Sequence, residues 1–368
     1  MLNINTPLFI IPTVLTVGYF FLFLIRYFAL RKYFKNSQPP LESSITDLSV
    51  VIACKNEAHN IPSLLTAIEK INYPKNKVEY IFIDDSSTDD TFKFLSERIN
   101  HDNCKLILAN NKNYPGKKGA IDVGIKQANH NYIIITDADC LPESEWLNAV
   151  NAAINDKYEM FFGIAPYIIT ASFRNNYFCF EQFINSSMYI TAGIINSPYS
   201  AAARNFGFKK SAYYDLGKFD STLQATGGDD DLLLQKAVKE GKKVGLIKYL
   251  PESYPYSHAP TTFENYFYQR ARHVETSHSY DLKSKLLLAV FHILGFASLF
   301  SLVLIPFSLW YIFPFASRLL VDSLLVLIFG KIHGYTFKLL MVPLFSIMYE
   351  ILIPINIINS FFLKRKWK

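Results

Sequence analysis

The run "YIIITDADCLP", residues 132 to 142, passes from apolar, mostly β-branched residues into two aspartates one residue apart, Asp137 and Asp139. Aspartate is common in turns after strands, where its side chain takes nearby backbone N–H groups. Two carboxylates on one loop can also hold a hard divalent cation, which neutralises a diphosphate. Four other groups bear on that choice. Asp84 and Asp85 open "DDSSTDD". Gly116, Lys117 and Lys118 in "PGKKGA" offer cations near a helix start, where a phosphate is welcome; solvated surface lysines are the alternative. Asp229, Asp230 and Asp231 stand in succession in "TGGDDDLLLQK" ahead of an amphipathic helix. An acidic first turn complements a helix dipole, and crowded carboxylates raise one another's pKa, which suits a proton acceptor. The last group, "QRARH" at Gln269 to His273, is basic and leads toward an apolar block.

The elements that must position these residues alternate. "LSVVIAC", "VEYIFID", "KLILA" and "YIIIT" read as strands, and "NIPSLLTAIEKI", "TDDTFKFLSERI" and "KKGAIDVGIKQA" as helices. Continuous apolar strands between helices predict an α/β fold with a mostly parallel sheet covered on both faces. Ligands in such sheets bind beyond the carboxyl ends of the strands. "KNEAHN", "DDSSTDD" and "DADC" follow the first, second and fourth strands, so all three are expected at one edge.

In this order, "VVIACKNEAHNI", "IFIDDSSTDDT", "PGKKGAIDVGI", "ITDADC", "GGDDDLLLQK" and "QRARH" span residues 50 to 273. The ordered set resembles the glycosyltransferases of family 2, in the membrane-anchored branch of cellulose, hyaluronan and poly-N-acetylglucosamine synthases. The resemblance implies a Rossmann-like GT-A domain over residues 46–275 and an inverting transfer from a nucleotide sugar, a UDP-sugar foremost, to a saccharide or lipid-linked acceptor. It implies that Asp84 or Asp85 accepts hydrogen bonds from the nucleotide base. Lys117 and Lys118 would serve the donor, and Asp139, with Asp137, would hold Mg2+ or Mn2+ on the diphosphate. Asp230 becomes the general base, with Asp229 where the family has glutamate. Gln269 and Arg272 keep two positions of the Q-x-x-R-W motif that borders acceptor and diphosphate, and His273 replaces its tryptophan, removing an apolar stacking face. A basic interfacial segment would explain "QRARH" equally.

The chain has 368 residues, half of them apolar, with 31 Phe and 23 Tyr. From Leu8 to Leu30 only Arg26 is charged, and a span needs about 20 apolar residues. An uncleaved anchor over residues 1–35 follows, because no basic segment precedes the run and no small-residue cleavage site ends it. Arg31, Lys32 and Lys35 then put the middle of the chain in the cytoplasm. The region 286–368 reads as two or three spans, with residues 317–335 at the interface because Arg318, Asp322 and Lys331 oppose a clean span. The "KRKWK" tail is expected on the cytoplasmic side, which favours an even number of spans.

The net charge of +6, much of it beside apolar runs, suits anionic membrane lipids rather than nucleic acid. Cys54, Cys104, Cys140 and Cys179 lack the close spacing of a zinc site or a disulfide framework, so free thiols are expected. The Phe- and Tyr-rich segment 165–215 fits acceptor contact or membrane contact. Few C-terminal spans for a secretion channel leave room for a partner subunit or a homo-oligomer. A sugar-binding scaffold without catalysis is the reading from another class, and Asp139, Asp230 and Arg272 together oppose it.

Overall fold

The structure, a computed structural model, describes residues 6–35, 44–99, 102–223, 225 and 227–363. In chain order the elements are α1 (Thr6–Lys35), β1 (Leu48–Cys54), α2 (Ile61–Glu69), β2 (Val78–Asp84), α3 (Thr91–Arg98), β3 (Cys104–Leu108), α4 (Gly116–Gln127), β4 (Tyr132–Asp137) and β5 (Cys140–Pro142). Next come α5 (Trp146–Asn155), β6 (Met160–Phe162), α6 (Phe173–Ile194), β7 (Phe206–Lys209), α7 (Lys210–Asp215), α8 (Asp231–Lys239), β8 (Val244–Leu246) and β9 (Pro255–Ser257). Four helices close the described chain: α9 (Phe263–Ser277), α10 (Leu282–Phe300), α11 (Ile312–Phe329) and α12 (Val342–Phe362).

Two compact units result. One draws on Tyr33–Ile168 and Ala192–Ala259, the other on Met1–Lys32, Ile169–Thr191 and Pro260–Leu363. In the first, seven strands run in the order β3-β2-β1-β4-β7-β6-β8. The four on the β3 side are parallel, in keeping with their mostly apolar sequences, and β7 runs antiparallel to both β4 and β6. Every residue of β1 and β2 is buried. Val50, Ile52, Phe82 and Ile134 of the sheet share one core with Trp146, Leu147 and Val150 of α5. A separate two-stranded ribbon joins β5 to β9.

The second unit gathers the apolar helices. Four helices, Phe9–Lys35, Leu282–Leu304, Leu309–Phe329 and Leu339–Phe362, are long and apolar enough to cross a membrane. Residues 317–335, expected at the interface, instead begin inside one of them. The charges that argued against a span are matched internally: the Arg318 guanidinium lies 2.9 Å from Glu350 and 3.7 Å from Asp322. It also donates to the carbonyls of Gly295 and Ser346. The apolar block from 286 breaks into two helices around Pro306, between Leu304 and Leu309. The "KRKWK" tail lies outside the described residues.

Residues 169–191 and 260–275, expected within the catalytic domain, belong to this unit. The reason is aromatic packing: Phe178 stacks on Tyr266 of α9 at 4.7 Å, and Phe345 of α12 meets Phe173, Tyr177 and Phe180. Much of the aromatic content between 165 and 215 is thereby spent on helix packing.

Candidate functional site

Parallel register brings three polar clusters to one edge. Cys54 pairs with Asp84 and Ala53 with Asp137, so β1, β2 and β4 end level, and "KNEAHN", "DDSSTDD" and "DADC" all follow from that edge. The first two loops are stitched together. The Asn56 side-chain oxygen accepts from the Thr88 N–H at 2.8 Å, Glu57 N–H donates to the Thr91 hydroxyl at 2.7 Å, and Ala58 N–H donates to Asp89 at 3.1 Å.

Asp84 and Asp85 are almost wholly buried at that edge. One Asp84 oxygen accepts from Ser87 N–H at 3.2 Å, and the other, Oδ1, has no hydrogen-bond partner. Asp85 is paired with Lys112 and lies 3.8 Å from Lys55. A buried carboxylate oxygen with no donor is costly, and a ligand bringing N–H groups would relieve the cost. Neither aspartate caps the next helix, where Asp90 stands.

The start of α4 needs glycine twice. Gly116 has φ of 59°, and a Cβ on Gly119 would lie 2.0 Å from the Tyr114 carbonyl oxygen. That turn aims two lysines in different directions. The Lys117 ammonium lies 2.6 Å from Asp137 and 3.4 Å from Asp229, joining the loop after β4 to the acidic triplet. Burial opposes its charge, but Asp137, Asp229 and Asp230 more than offset that and hold it above the usual lysine range. Lys118, expected beside a phosphate, is buried and donates to the carbonyls of Thr222 and Ala225. It therefore braces the approach to the triplet.

The three consecutive aspartates have three environments. Asp229 is buried next to Lys117. Asp230 caps α8, accepting from Asp231 N–H at 2.7 Å. Asp231, expected to do no more than complement the helix start, is buried and accepts from Ala201 N–H at 2.8 Å, so it also ties down the segment before β7. Burial first, then the charges of Asp231 and Asp229, push the Asp230 carboxyl well above the usual carboxylate range; Lys117 pulls it partly back.

Asp137 and Asp139 are both half-buried. Among the described residues no three His, Cys, Asp or Glu side chains converge as a complete metal cage. Two carboxylates on one loop still fit a hard cation that takes its remaining ligands from phosphate, as Mg2+ commonly does. Gln269, Arg272 and His273 lie on α9, in the unit of apolar helices. There Arg270, which the motif leaves unassigned, is 3.1 Å from the buried Glu181. No disulfide joins the four cysteines. Arg204, a cation in an aromatic segment, carries no motif in the sequence, because only the antiparallel placement of β7 brings it beside β4.

A mostly parallel sheet with acidic clusters beyond its strand ends defines the GT-A class of α/β fold. A solved mannosyltransferase, PcManGT from Pyrobaculum calidifontis in complex with GDP-Man and Mn2+, shares the fold with a TM-score of 0.60 at 17% identity, over 96% of this chain and 98% of that one. Residues 49–217 match the model of glycosyl transferase family 2. Glycosyltransferase AglE of Haloferax volcanii is 31% identical over 109 residues, 29% of this chain and 35% of that protein. The poly-beta-1,6-N-acetyl-D-glucosamine synthase of Staphylococcus epidermidis is 26% identical over 254 residues, 64% of this chain and 55% of the synthase. The chain thus spans about a third of the first relative's length and about half of the second's.

Proposed function

We propose that the protein is an inverting glycosyltransferase of polysaccharide or glycoconjugate synthesis, moving a sugar from a nucleotide-sugar donor to a saccharide or lipid-linked acceptor at the cytoplasmic membrane face. One observation carries the reading: Lys117 joins Asp137 to Asp229, which brings the loop after β4 and the crowded Asp230 together beyond the same sheet edge. The buried Asp84–Asp85 pair receives the nucleotide base. Asp139, with Asp137, would hold Mg2+ or Mn2+ alongside the donor's diphosphate. When bound, that cation stabilises negative charge on the departing diphosphate.

Asp230 takes the proton of the acceptor hydroxyl, whose oxygen then attacks the anomeric carbon as the bond to the diphosphate breaks. A carboxyl held above its usual range is the better proton acceptor near neutral pH, provided that it is deprotonated when the acceptor arrives. Lys117 serves that condition, since its ammonium lowers the Asp230 pKa. Direct displacement needs one base and no carboxylate nucleophile, which makes the transfer inverting. The family match over residues 49–217, a structural neighbour solved with GDP-Man and a polysaccharide synthase among the similar sequences support a nucleotide-sugar donor.

The test is to incubate the purified full-length chain in lipid with a panel of UDP- and GDP-sugars and measure nucleoside diphosphate release with and without saccharide and lipid acceptors. Acceptor-dependent release from one donor is expected. Binding of nucleotide sugars with no turnover under any acceptor would favour the non-catalytic scaffold.

A further inference from the structure

Arg204 lies in a short turn, Ala203–Asn205, immediately before β7, and that turn abuts β4, the strand that ends in Asp137. Both flanks are fixed. Ala201 N–H is held by Asp231 at 2.8 Å, and the Gln235 amide of α8 donates to the Tyr199 carbonyl at 2.8 Å. On the other side the Asn205 side chain accepts from Trp146 Nε1 at 3.0 Å and donates to the Ile164 carbonyl at 2.8 Å. The backbone at Arg204 is therefore braced between the start of α8 and the core.

The guanidinium is hydrogen-bonded to the protein at Ala165 and Tyr167 but leaves a donor over. One Nη donates to the Ala165 carbonyl at 2.9 Å, the group lies 4.8 Å from the centre of the Tyr167 ring, and Nε is buried with no hydrogen-bond partner. Tyr167 bridges to Ser257, and Ser257 pairs across the ribbon with Cys140, the neighbour of Asp139. Burial works against the charge, while Tyr167, Cys140 and Asp139 sustain it.

A fixed cation on the neighbouring strand segment, whose charge Asp139 helps sustain, has a consequence for what binds there. If Asp139 takes a divalent cation, as the glycosyl-transfer reading requires, two positive groups face each other, and an anion between them removes the repulsion. The planar fork of arginine suits phosphate oxygens, which accept paired charge-assisted hydrogen bonds. We infer that Arg204 binds a phosphoryl group held beside Asp139. The inference rests on the proposed function and deepens it. The donor's diphosphate supplies that group, and a phosphate on a lipid-linked acceptor is the other source of the same chemistry.

Calorimetry on the full chain in detergent, with Mn2+ present, separates the cases. The probes are UDP and GDP, the matching nucleosides and inorganic diphosphate, against wild type, Arg204→Lys and Arg204→Gln; the last keeps a donor for Ala165 without the charge. Losing charge-assisted hydrogen bonds should weaken nucleoside diphosphate and inorganic diphosphate binding about 10- to 100-fold in Arg204→Gln. Arg204→Lys should lose less, and nucleoside affinity should stay within about two-fold, which a merely disrupted fold would not allow. If diphosphate affinity holds and only the KM for a polyprenyl phosphate acceptor rises, the phosphoryl group is the acceptor's. Unchanged diphosphate affinity together with an unchanged acceptor KM overturns the inference. A wild-type chain that binds no nucleoside diphosphate overturns the glycosyl-transfer reading itself.

Discussion

Asp230 is held by its neighbours, and that makes the acid side of the pH profile a test of its role. Its carboxyl is raised by burial and then by Asp231 and Asp229, so a base at this position should lose activity as pH falls through a value above the usual aspartate range. Asp231→Asn removes one of the neighbouring charges while its amide oxygen can still accept from Ala201 N–H. The acid limb of kcat/KM should then move to lower pH; an unmoved limb would count against Asp230 as the titrating group. The sign for folding is the opposite one. A carboxyl whose folded pKa is raised favours the folded state below its unfolded pKa and withdraws that support as pH rises through the folded pKa. Asp231→Asn should therefore also reduce the loss of thermal stability above the ordinary aspartate range, measured by melting temperature against pH. Asp230 and its acidic neighbours were legible in the sequence because they are contiguous. The diverging paths of Lys117 and Lys118 were not, because their direction is set by the turn at Gly116 and by carbonyls more than a hundred positions away.

At the scale of elements, strand ends were the most readable feature. β1, β2 and β4 are largely apolar runs that give way to charged residues, so their ends and common edge followed from pattern alone. The apolar helices were harder to read, since Arg318 and Asp322 look prohibitive until Glu350, on another helix, is seen beside them. That cluster carries its own prediction. Breaking a buried ion pair from one side leaves uncompensated charge and typically costs about 3–5 kcal/mol, so Arg318→Leu should sharply lower the melting temperature in detergent. Replacing Arg318, Asp322 and Glu350 together with apolar residues of similar volume should recover most of the loss. Equal destabilisation by the single and triple changes would mean that the cluster is not an energetic unit. The packing of α6 and α9 was not legible in the sequence, because their aromatic residues meet one another and α12, which lies beyond the motifs.

For the whole molecule, helix direction within the apolar unit constrains topology. Phe9 meets Trp310 and Tyr27 meets Phe329, so α1 and α11 run parallel to one another, and Phe361 near the end of α12 meets His278 just before α10 begins. The end of α11 is therefore expected on the side where α1 exits, and the end of α12 on the side where α10 enters. Single cysteines at Lys35, Lys283 and Lys331 should all resist an impermeant reagent applied to intact cells; labelling at Lys331 alone would refute this path for α11. The central claim is sugar transfer with Asp230 as base, and incorporation of labelled sugar from a nucleotide-sugar donor by membranes carrying wild type or Asp230→Asn tests it most directly. Positioned general bases contribute about 10² to 10⁴ in rate. Wild-type membranes should incorporate label, and Asp230→Asn should lose transfer by at least that order while donor affinity stays within a few-fold. Near-normal incorporation by Asp230→Asn, or none by wild type with any donor, would contradict it.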